Sequence, residues 1–227
     1  LKPTYGRVSR YGLLAMTSST DVVGPITQTV ADAALLLSVI AGLDPHDATT
    51  KPIDVKDYHT YLDGGIEGLC IGIPKEYFID GIEPDVRRVV EESIQHLEKL
   101  GAHLVEVSLP HTRYAIPVYY IITPTEVASN LARYDGIRYG HSVSDINNLY
   151  ELYTHSRAEG FGPEARRRIM IGTYVSSAGY YDQYYDKAAR VRTLIRRDFD
   201  EVFKKVDLLV TPTSPHTAFR VGEKSEP

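Results

Sequence analysis

The sequence has a single cysteine and no long apolar run, and both shortages limit what the protein can be. Cys70 has no second cysteine in the chain to pair with, which excludes an internal disulfide and favours a reducing compartment. No apolar run reaches the roughly 18 residues that a membrane-spanning helix requires. We therefore predict a cytoplasmic protein without a membrane partner.

Sequence motifs for nucleotides and metal ions are also missing. The chain has no Gly-x-x-x-x-Gly-Lys-Ser/Thr loop, no Gly-x-Gly-x-x-Gly after a strand, and no cysteine or histidine pairs at zinc spacing. The segment Asp44–Asp47 holds two carboxylates and an imidazole, but a proline turn whose aspartates accept backbone N–H bonds is the favoured interpretation. We therefore predict that this chain itself binds no metal ion and no cofactor.

Positive charge is in short supply as well. The net charge is −5 and the pI is about 5.9. Nucleic-acid binding depends on clustered Lys and Arg that neutralise phosphates, so the chain is not expected to hold RNA by itself. Any RNA partner would need the help of a second protein chain.

The hydrophobic pattern predicts an α/β fold in one domain. A chain of 227 residues with 43% hydrophobic content can build one sizeable core. Residues 69–73 and 103–107 have the pattern of buried strands, and residues 84–100 between them have the pattern of a helix. Such a strand, helix, strand unit takes a parallel, right-handed crossover. A last strand is predicted over residues 207–210.

The remaining helices are predicted from apolar spacing. Residues 30–41 are apolar nearly all round, which predicts a helix buried on most sides. Residues 115–134 predict a helix interrupted by prolines, and Pro163 begins another that runs to about residue 175. An apolar stripe from Tyr184 to Val206 predicts a second helix roughly 40 Å long, and the two helices together form a hairpin.

This hairpin is the first place in the sequence to look for a site. It holds three consecutive arginines, at positions 166, 167 and 168, and the tyrosine pairs Tyr180–Tyr181 and Tyr184–Tyr185. Few packing problems require that mixture. The tyrosine pairs are interpreted as core and interface packing, and Arg166 and Arg167 as surface or partner contacts.

Four segments together resemble the amidase signature family. They are Leu1–Gly12, which contains Lys-Pro-Thr-Tyr-Gly, then Val23–Thr27, Asp135–Gly140 and Phe161–Ile195. The resemblance covers nearly the whole chain, and the arginine-tyrosine hairpin is characteristic of the tRNA-dependent branch of the family. It implies a layered, mixed sheet with helices on both faces, of which residues 1–227 would be an incomplete fragment.

The resemblance also carries expectations about the catalytic residues. The family uses a serine nucleophile, a bridging serine and a lysine base, and all three are expected upstream of Leu1. No catalytic residue is therefore assigned within this chain, and Ser18 and Ser19 are not promoted to that role because no activating histidine or lysine lies at a recognisable spacing. Residues 20–23 depart from the family's usual Leu-Asp-Gln-Ile.

Two substrate-binding residues are implied by the resemblance. Tyr119 matches the tyrosine that contacts the glutamine substrate, and Arg168 matches the residue that holds its carboxylate. A guanidinium offers two parallel N–H donors, which suits that role. The alternative for Arg168 is a structural ion pair with Glu164, four residues earlier in the helix.

The activity that the resemblance implies is the release of ammonia from glutamine within a tRNA-dependent amidotransferase. The B and C subunits of such an amidotransferase are the implied partners. ATP and Mg²⁺ are used by the B subunit, and tRNA is reached only through it. A free-standing amidase that acts on a small amide is the alternative within the family. A non-catalytic module that binds a partner or RNA is the alternative from another class.

Overall fold

The computed structural model describes residues 1–224, and residues 225–227, the last of a polar stretch that begins at residue 222 of the sequence, lie outside it. The chain divides into two compact units, and each is built from two separate stretches. Unit 1 comprises Leu1–Gly64 and Pro117–Ala189, and unit 2 comprises Gly65–Ile116 and Arg190–Pro227. The single domain expected from the sequence stays a prediction.

Unit 2 contains a parallel sheet of three strands. Strand β1 (Cys70–Pro74) pairs with β2 (His103–Val107) on one side and with β3 (Leu208–Leu209) on the other. Helix α2 (Pro84–Lys99) connects β1 to β2. The α/β class and the predicted strand, helix, strand unit are therefore confirmed, and the strand pairs within residues 1–224 run parallel.

The bounds of α2 follow from its sequence. Pro84 occupies the first turn, where its missing N–H leaves no helix bond unmade, and Asp85 lies beside the positive end of the helix. Gly101, with φ +94°, follows the last turn in a conformation that other residues adopt at a cost.

The sheet of unit 2 packs on a core that contains four buried residues: Val107, Leu109, Val202 and Val206.

Unit 1 is largely helical. Its helices are α1 (Val30–Ile40), α4 (Leu149–Gly160) and α5 (Pro163–Ser176), together with most of α3 (Ala115–Leu131). The side chain of Thr29 caps α1, and that of Asn148 caps α4, a helix that the sequence did not predict. None of the helices in the described part of the chain is both long and apolar enough to cross a membrane.

The second helix of the hairpin differs from its prediction. A π-helical turn occupies Asp182–Asp186, and α6 (Lys187–Val202) follows with 16 residues, about 24 Å. In that turn the Asp186 N–H donates to the carbonyl of Tyr181, five residues back, so the helix carries one extra residue. The helix therefore ends at Val202 and not at the predicted Val206, and the apolar stripe did not indicate the π-helical insertion near its start.

The prediction that α1 is buried on most sides was also wrong. Only Ala34 and Leu37 are buried. The opposite face is exposed and consists of Leu35, Leu36, Val39 and Ile40, of which Val39 is 74% exposed. The described residues pack against one face of α1 and leave a second apolar face open.

The proline turn predicted at Asp44–Asp47 is confirmed. The His46 N–H donates to Asp44 Oδ1 at 2.9 Å, and Asp47 accepts the N–H groups of Arg10 at 2.8 Å and Thr49 at 3.0 Å. Both carboxylates therefore stabilise backbone. Across residues 1–224, no three His, Cys, Asp or Glu side chains come together in a way that could hold a metal ion.

The pH dependence of stability should reveal the role of Asp47. The hydrogen bond from the Arg10 N–H, followed by those from Thr49, lowers the pKa of Asp47 from 3.8 to about 2. Because the folded-state pKa is depressed, this stabilisation is complete above pH 3.8 and is lost as the pH falls toward 2. In Asp47→Asn, the free energy of unfolding should fall less steeply with acidification over that range. Urea titrations at several pH values measure this, and a slope equal to that of wild type would contradict it.

Candidate functional site

The structure brings the two predicted substrate-binding residues together in unit 1. Arg168, on α5, donates from Nη1 to the hydroxyl of Tyr119, on α3, at 3.0 Å. Its Nε donates to Glu164 Oε1 at 2.8 Å, so the ion pair considered as an alternative is present as well. One edge of the guanidinium is therefore held by Glu164, and the neighbouring Nη1 contacts the tyrosine.

The hydrogen bonds in this cluster favour the ionised forms of Arg168 and Glu164. The hydrogen bond to Tyr119, followed by the one to Glu164, raises the pKa of Arg168 above its already high ordinary value. Hydrogen bonds from Arg167 and then from Arg168 lower the pKa of Glu164. The side chain of Arg168 is 26% exposed, against 59% for Arg167. Arg168 is thus a permanent cation that is partly withdrawn from water, where charge interactions are stronger.

Unused donors remain at the pair. Nη2 of Arg168 has no hydrogen-bond acceptor among the residues that the structure describes, and Nη1 keeps a second hydrogen. The hydroxyl of Tyr119 accepts from Arg168, which leaves its own hydrogen to donate, and this side chain is 43% exposed. Nη1 and Nη2 form the outer edge of the guanidinium, and that edge matches the two oxygens of a carboxylate.

Glu126 and Asn130 fasten a loop to α3, and the sequence analysis missed both. Ser19 donates to the Glu126 carboxylate from its N–H and its hydroxyl, each at 2.6 Å. Asn130, which is buried, accepts from the Ser18 hydroxyl and donates to the Met16 carbonyl, each at 3.1 Å. The signal was present, because Glu126 and Asn130 follow Tyr119 by 7 and 11 residues and so share one face of the helix.

A cavity of about 500 Å³ lies in unit 1 beside this loop. Its polar walls include Arg10, Ser18 and Asp21, which make hydrogen bonds within the protein, while the buried Nε of Arg10 has no hydrogen-bond acceptor among the described residues. Asp21 accepts from the backbone of Thr17 at 3.1 Å, and Arg10 donates to the carbonyl of Ser18. These side chains therefore shape the wall of the cavity, and the hydroxyls of Ser18 and Ser19 serve to hold the loop.

The tyrosines of the hairpin pack on one another. The rings of Tyr174 and Tyr180 lie 4.4 Å apart, and those of Tyr181 and Tyr185 stack at 5.1 Å. A hydrogen bond with Tyr180 raises the pKa of Tyr174. The rings pack on one another, but Tyr180, Tyr181 and Tyr184 are exposed, so the core packing that the sequence favoured is not found here, and the interface role stays a prediction.

Comparisons with known proteins identify the family of the chain. The profile of the amidase family matches residues 1–227. The A subunit of glutamyl-tRNA(Gln) amidotransferase from Carboxydothermus hydrogenoformans is 59% identical over 225 residues, which are 99% of this chain and 46% of the relative. The protein of the same name from Chloroflexus aurantiacus is 60% identical over 224 residues, again 99% of this chain and 46% of the relative.

A solved structure agrees as well. The crystal structure of the glutamyl-tRNA(Gln) amidotransferase A subunit from Thermotoga maritima superposes with a TM-score of 0.74 at 42% identity, and the match covers 100% of this chain and 44% of that one. The chain thus spans about half the length of the relatives that it matches. Because the profile matches the whole of the sequence, the chain belongs to the amidase family.

Proposed function

We propose that this chain is part of the glutamine-hydrolysing A subunit of a glutamyl-tRNA(Gln) amidotransferase. The whole protein would release ammonia from glutamine for the conversion of Glu-tRNA(Gln) to Gln-tRNA(Gln). The observation that carries the proposal is the Arg168–Tyr119 pair, whose open donors suit the carboxylate of an amino-acid amide. Support also comes from relatives of that name at 59% and 60% identity.

The role that we propose for the pair is to bind and orient glutamine. Nη1 and Nη2 of Arg168 would hold the α-carboxylate, and the Tyr119 hydroxyl would donate to one of its oxygens. Glu164 keeps the guanidinium from rotating, because it occupies Nε. Fixing the α-carboxylate of glutamine places its side-chain amide at a set distance from the pair. The amide is then oriented for attack by the nucleophile.

The remaining parts of the reaction are proposed for residues and proteins outside this chain. The serine nucleophile, the bridging serine and the lysine base would come from the part of the relatives' length that the chain does not span. Ammonia would pass to the B subunit, which would use ATP and Mg²⁺ and contact the tRNA. The C subunit would complete a cytoplasmic complex.

Replacing Arg168 by alanine in the full-length protein, assembled with its partners, tests the proposal. A hydrogen-bonded, partly buried charge pair is worth about 2–3 kcal/mol, so the KM for glutamine should rise roughly 30- to 150-fold with little change in kcat. Arg168→Lys should lie in between, because lysine restores the charge without the fork. Steady-state ammonia release at varied glutamine measures both parameters.

Arg167→Ala is the matched control. Arg167 also pairs with Glu164 but is more exposed, and its guanidinium donates to that carboxylate from both Nε and Nη2. The KM of the Arg167→Ala variant for glutamine should stay within about twofold of wild type, since exposed ion pairs contribute little. An unchanged KM in Arg168→Ala would sink the proposal. Equal effects on glutamine and on a simple primary amide without a carboxylate would favour a free-standing amidase instead.

A further inference from the structure

Helices α3 and α5 cross with backbone against backbone, close to the Arg168–Tyr119 pair. A Cβ atom placed on Gly172 of α5 would lie 1.9 Å from the carbonyl oxygen of Pro124 in α3, 2.4 Å from its carbonyl carbon and 2.8 Å from the nitrogen of Thr125. The obstacles are backbone atoms, which cannot rotate away as a side chain would. Position 172 therefore admits no residue larger than glycine while the helices keep this distance.

Both helices bury the surface around the crossing. Gly172 and Pro124 are buried, and so are Val175 and Val127, each three residues further along its helix. Residues three apart lie on the same face, so each helix turns this face toward the interior. The crossing is thus a closely packed contact, at which the addition of even a methyl group would disturb the packing.

The crossing lies about one helical turn from the pair. Arg168 precedes Gly172 by four residues, and Tyr119 precedes Pro124 by five, which corresponds to roughly 6 Å and 7.5 Å along the two axes. An ordinary contact with an added Cβ begins at 3.4 Å, so the 1.9 Å approach would have to open by about 1.5 Å. An opening of that size would stretch the 3.0 Å hydrogen bond between Arg168 and Tyr119 beyond its limit.

We infer that Gly172 is a positioning residue, whose close backbone contact with Pro124 sets Arg168 against Tyr119 and thereby the grip on the substrate carboxylate. The inference rests on the function proposed for the pair. Gly172 itself touches neither substrate nor reacting atoms. It acts through the distance between two helices.

The test is Gly172→Ala in the full-length protein together with its partners. A displacement of about an ångström at a binding group costs up to two orders of magnitude, so the KM for glutamine should rise roughly 10- to 100-fold. Activity toward a simple primary amide without a carboxylate should change by less than about threefold, relative to folded protein. The matched control is Gly162→Ala at the start of the same helix, where an added Cβ meets nothing within 4 Å, and its KM should be that of wild type.

A double-mutant cycle separates positioning from a loss of stability. With Arg168→Ala already present, Gly172→Ala should raise the KM no further, because the group that it displaces is gone. Two results would overturn the inference. One is that Gly172→Ala raises the KM for glutamine by the same factor with and without Arg168→Ala. The other is that Gly172→Ala lowers the activity toward glutamine and toward the simple amide equally. If Arg168→Ala raises the KM and Gly172→Ala does not, the inference fails and the proposed function stands. If Arg168→Ala has no effect, the proposed function fails.

A second variant covers the case in which Gly172→Ala does not fold. Val127 is 1% exposed and lies about one turn from Pro124, so Val127→Ala removes packing beside the crossing. The smaller side chain does not push the two helices apart. This variant should raise the KM for glutamine a few-fold, and only where Arg168 is intact. A folded Val127→Ala protein with the KM of wild type would contradict the inference.

Discussion

Replacing Gly136 by alanine should destabilise the protein by about 2–5 kcal/mol. Two costs add at this position. Gly136 has φ +77°, a left-handed conformation that costs an alanine roughly 1–2 kcal/mol. A Cβ there would also lie 2.5 Å from the Cβ of Ser156 and 2.7 Å from its Oγ. Ser156 is 1% exposed and accepts the N–H of Val143 at 3.1 Å, so it has little room to yield.

Gly140→Ala, in the same loop, isolates the conformational part of the cost. Gly140 has φ +86°, but an added Cβ meets its nearest neighbour, in Tyr134, at 3.4 Å. It should therefore cost only the conformational part, about 1–2 kcal/mol. Urea unfolding of both variants gives the difference directly. Equal losses would show that the contact with Ser156 relaxes freely and that backbone conformation alone requires glycine here.

Replacing Leu109 by alanine should cost about 2–5 kcal/mol, chiefly through unit 2. Leu109 is 1% exposed and lies in the core with Val107, Val202 and Val206. Its N–H donates to Glu76 Oε2 at 2.8 Å, and that bond involves the backbone, so alanine retains it. The loss therefore reports side-chain packing and the cavity left behind.

Leu100→Ala is the companion measurement for this core. Leu100 is 52% exposed at the end of α2, and its truncation should change the free energy of unfolding by no more than about 0.5 kcal/mol. Urea unfolding followed by circular dichroism measures both variants. If Leu109→Ala costs no more than Leu100→Ala, the core of unit 2 does not depend on Leu109.

Local sequence signals predicted β1, α2 and β2 to within one residue. Pro84 and Gly101 mark the ends of the helix, and the short apolar runs on each side are long enough only for strands. The exposure of Val39 could not be predicted in this way, because burial depends on what packs against a helix as well as on its own pattern. The extra residue at Asp182–Asp186 leaves no mark in apolar spacing either.

The substrate-binding roles of the candidate site residues stay predictions, and only their geometry can be compared with the sequence. Arg168 and Tyr119 came from the family resemblance, and the 3.0 Å contact between them depends on a crossing of α3 and α5 that no local pattern specifies. The Glu126–Ser19 contact joins residues 107 positions apart, a separation over which residue spacing predicts nothing. Local signals therefore predict the elements, and long-range packing builds the site.

The order of synthesis matters for a protein whose units are both discontinuous. Strand β3, at Leu208–Leu209, pairs with β1, whose last residue is Pro74, so the sheet of unit 2 cannot be completed until the chain has been made as far as residue 209. The second stretch of unit 1 ends at Ala189, so all the residues of unit 1 have been made before β3 is synthesised. Contacts between residues so far apart close slowly, because the intervening chain loses entropy before they form. On the ribosome, unit 1 should therefore complete first, while β1 and β2 wait for their third strand.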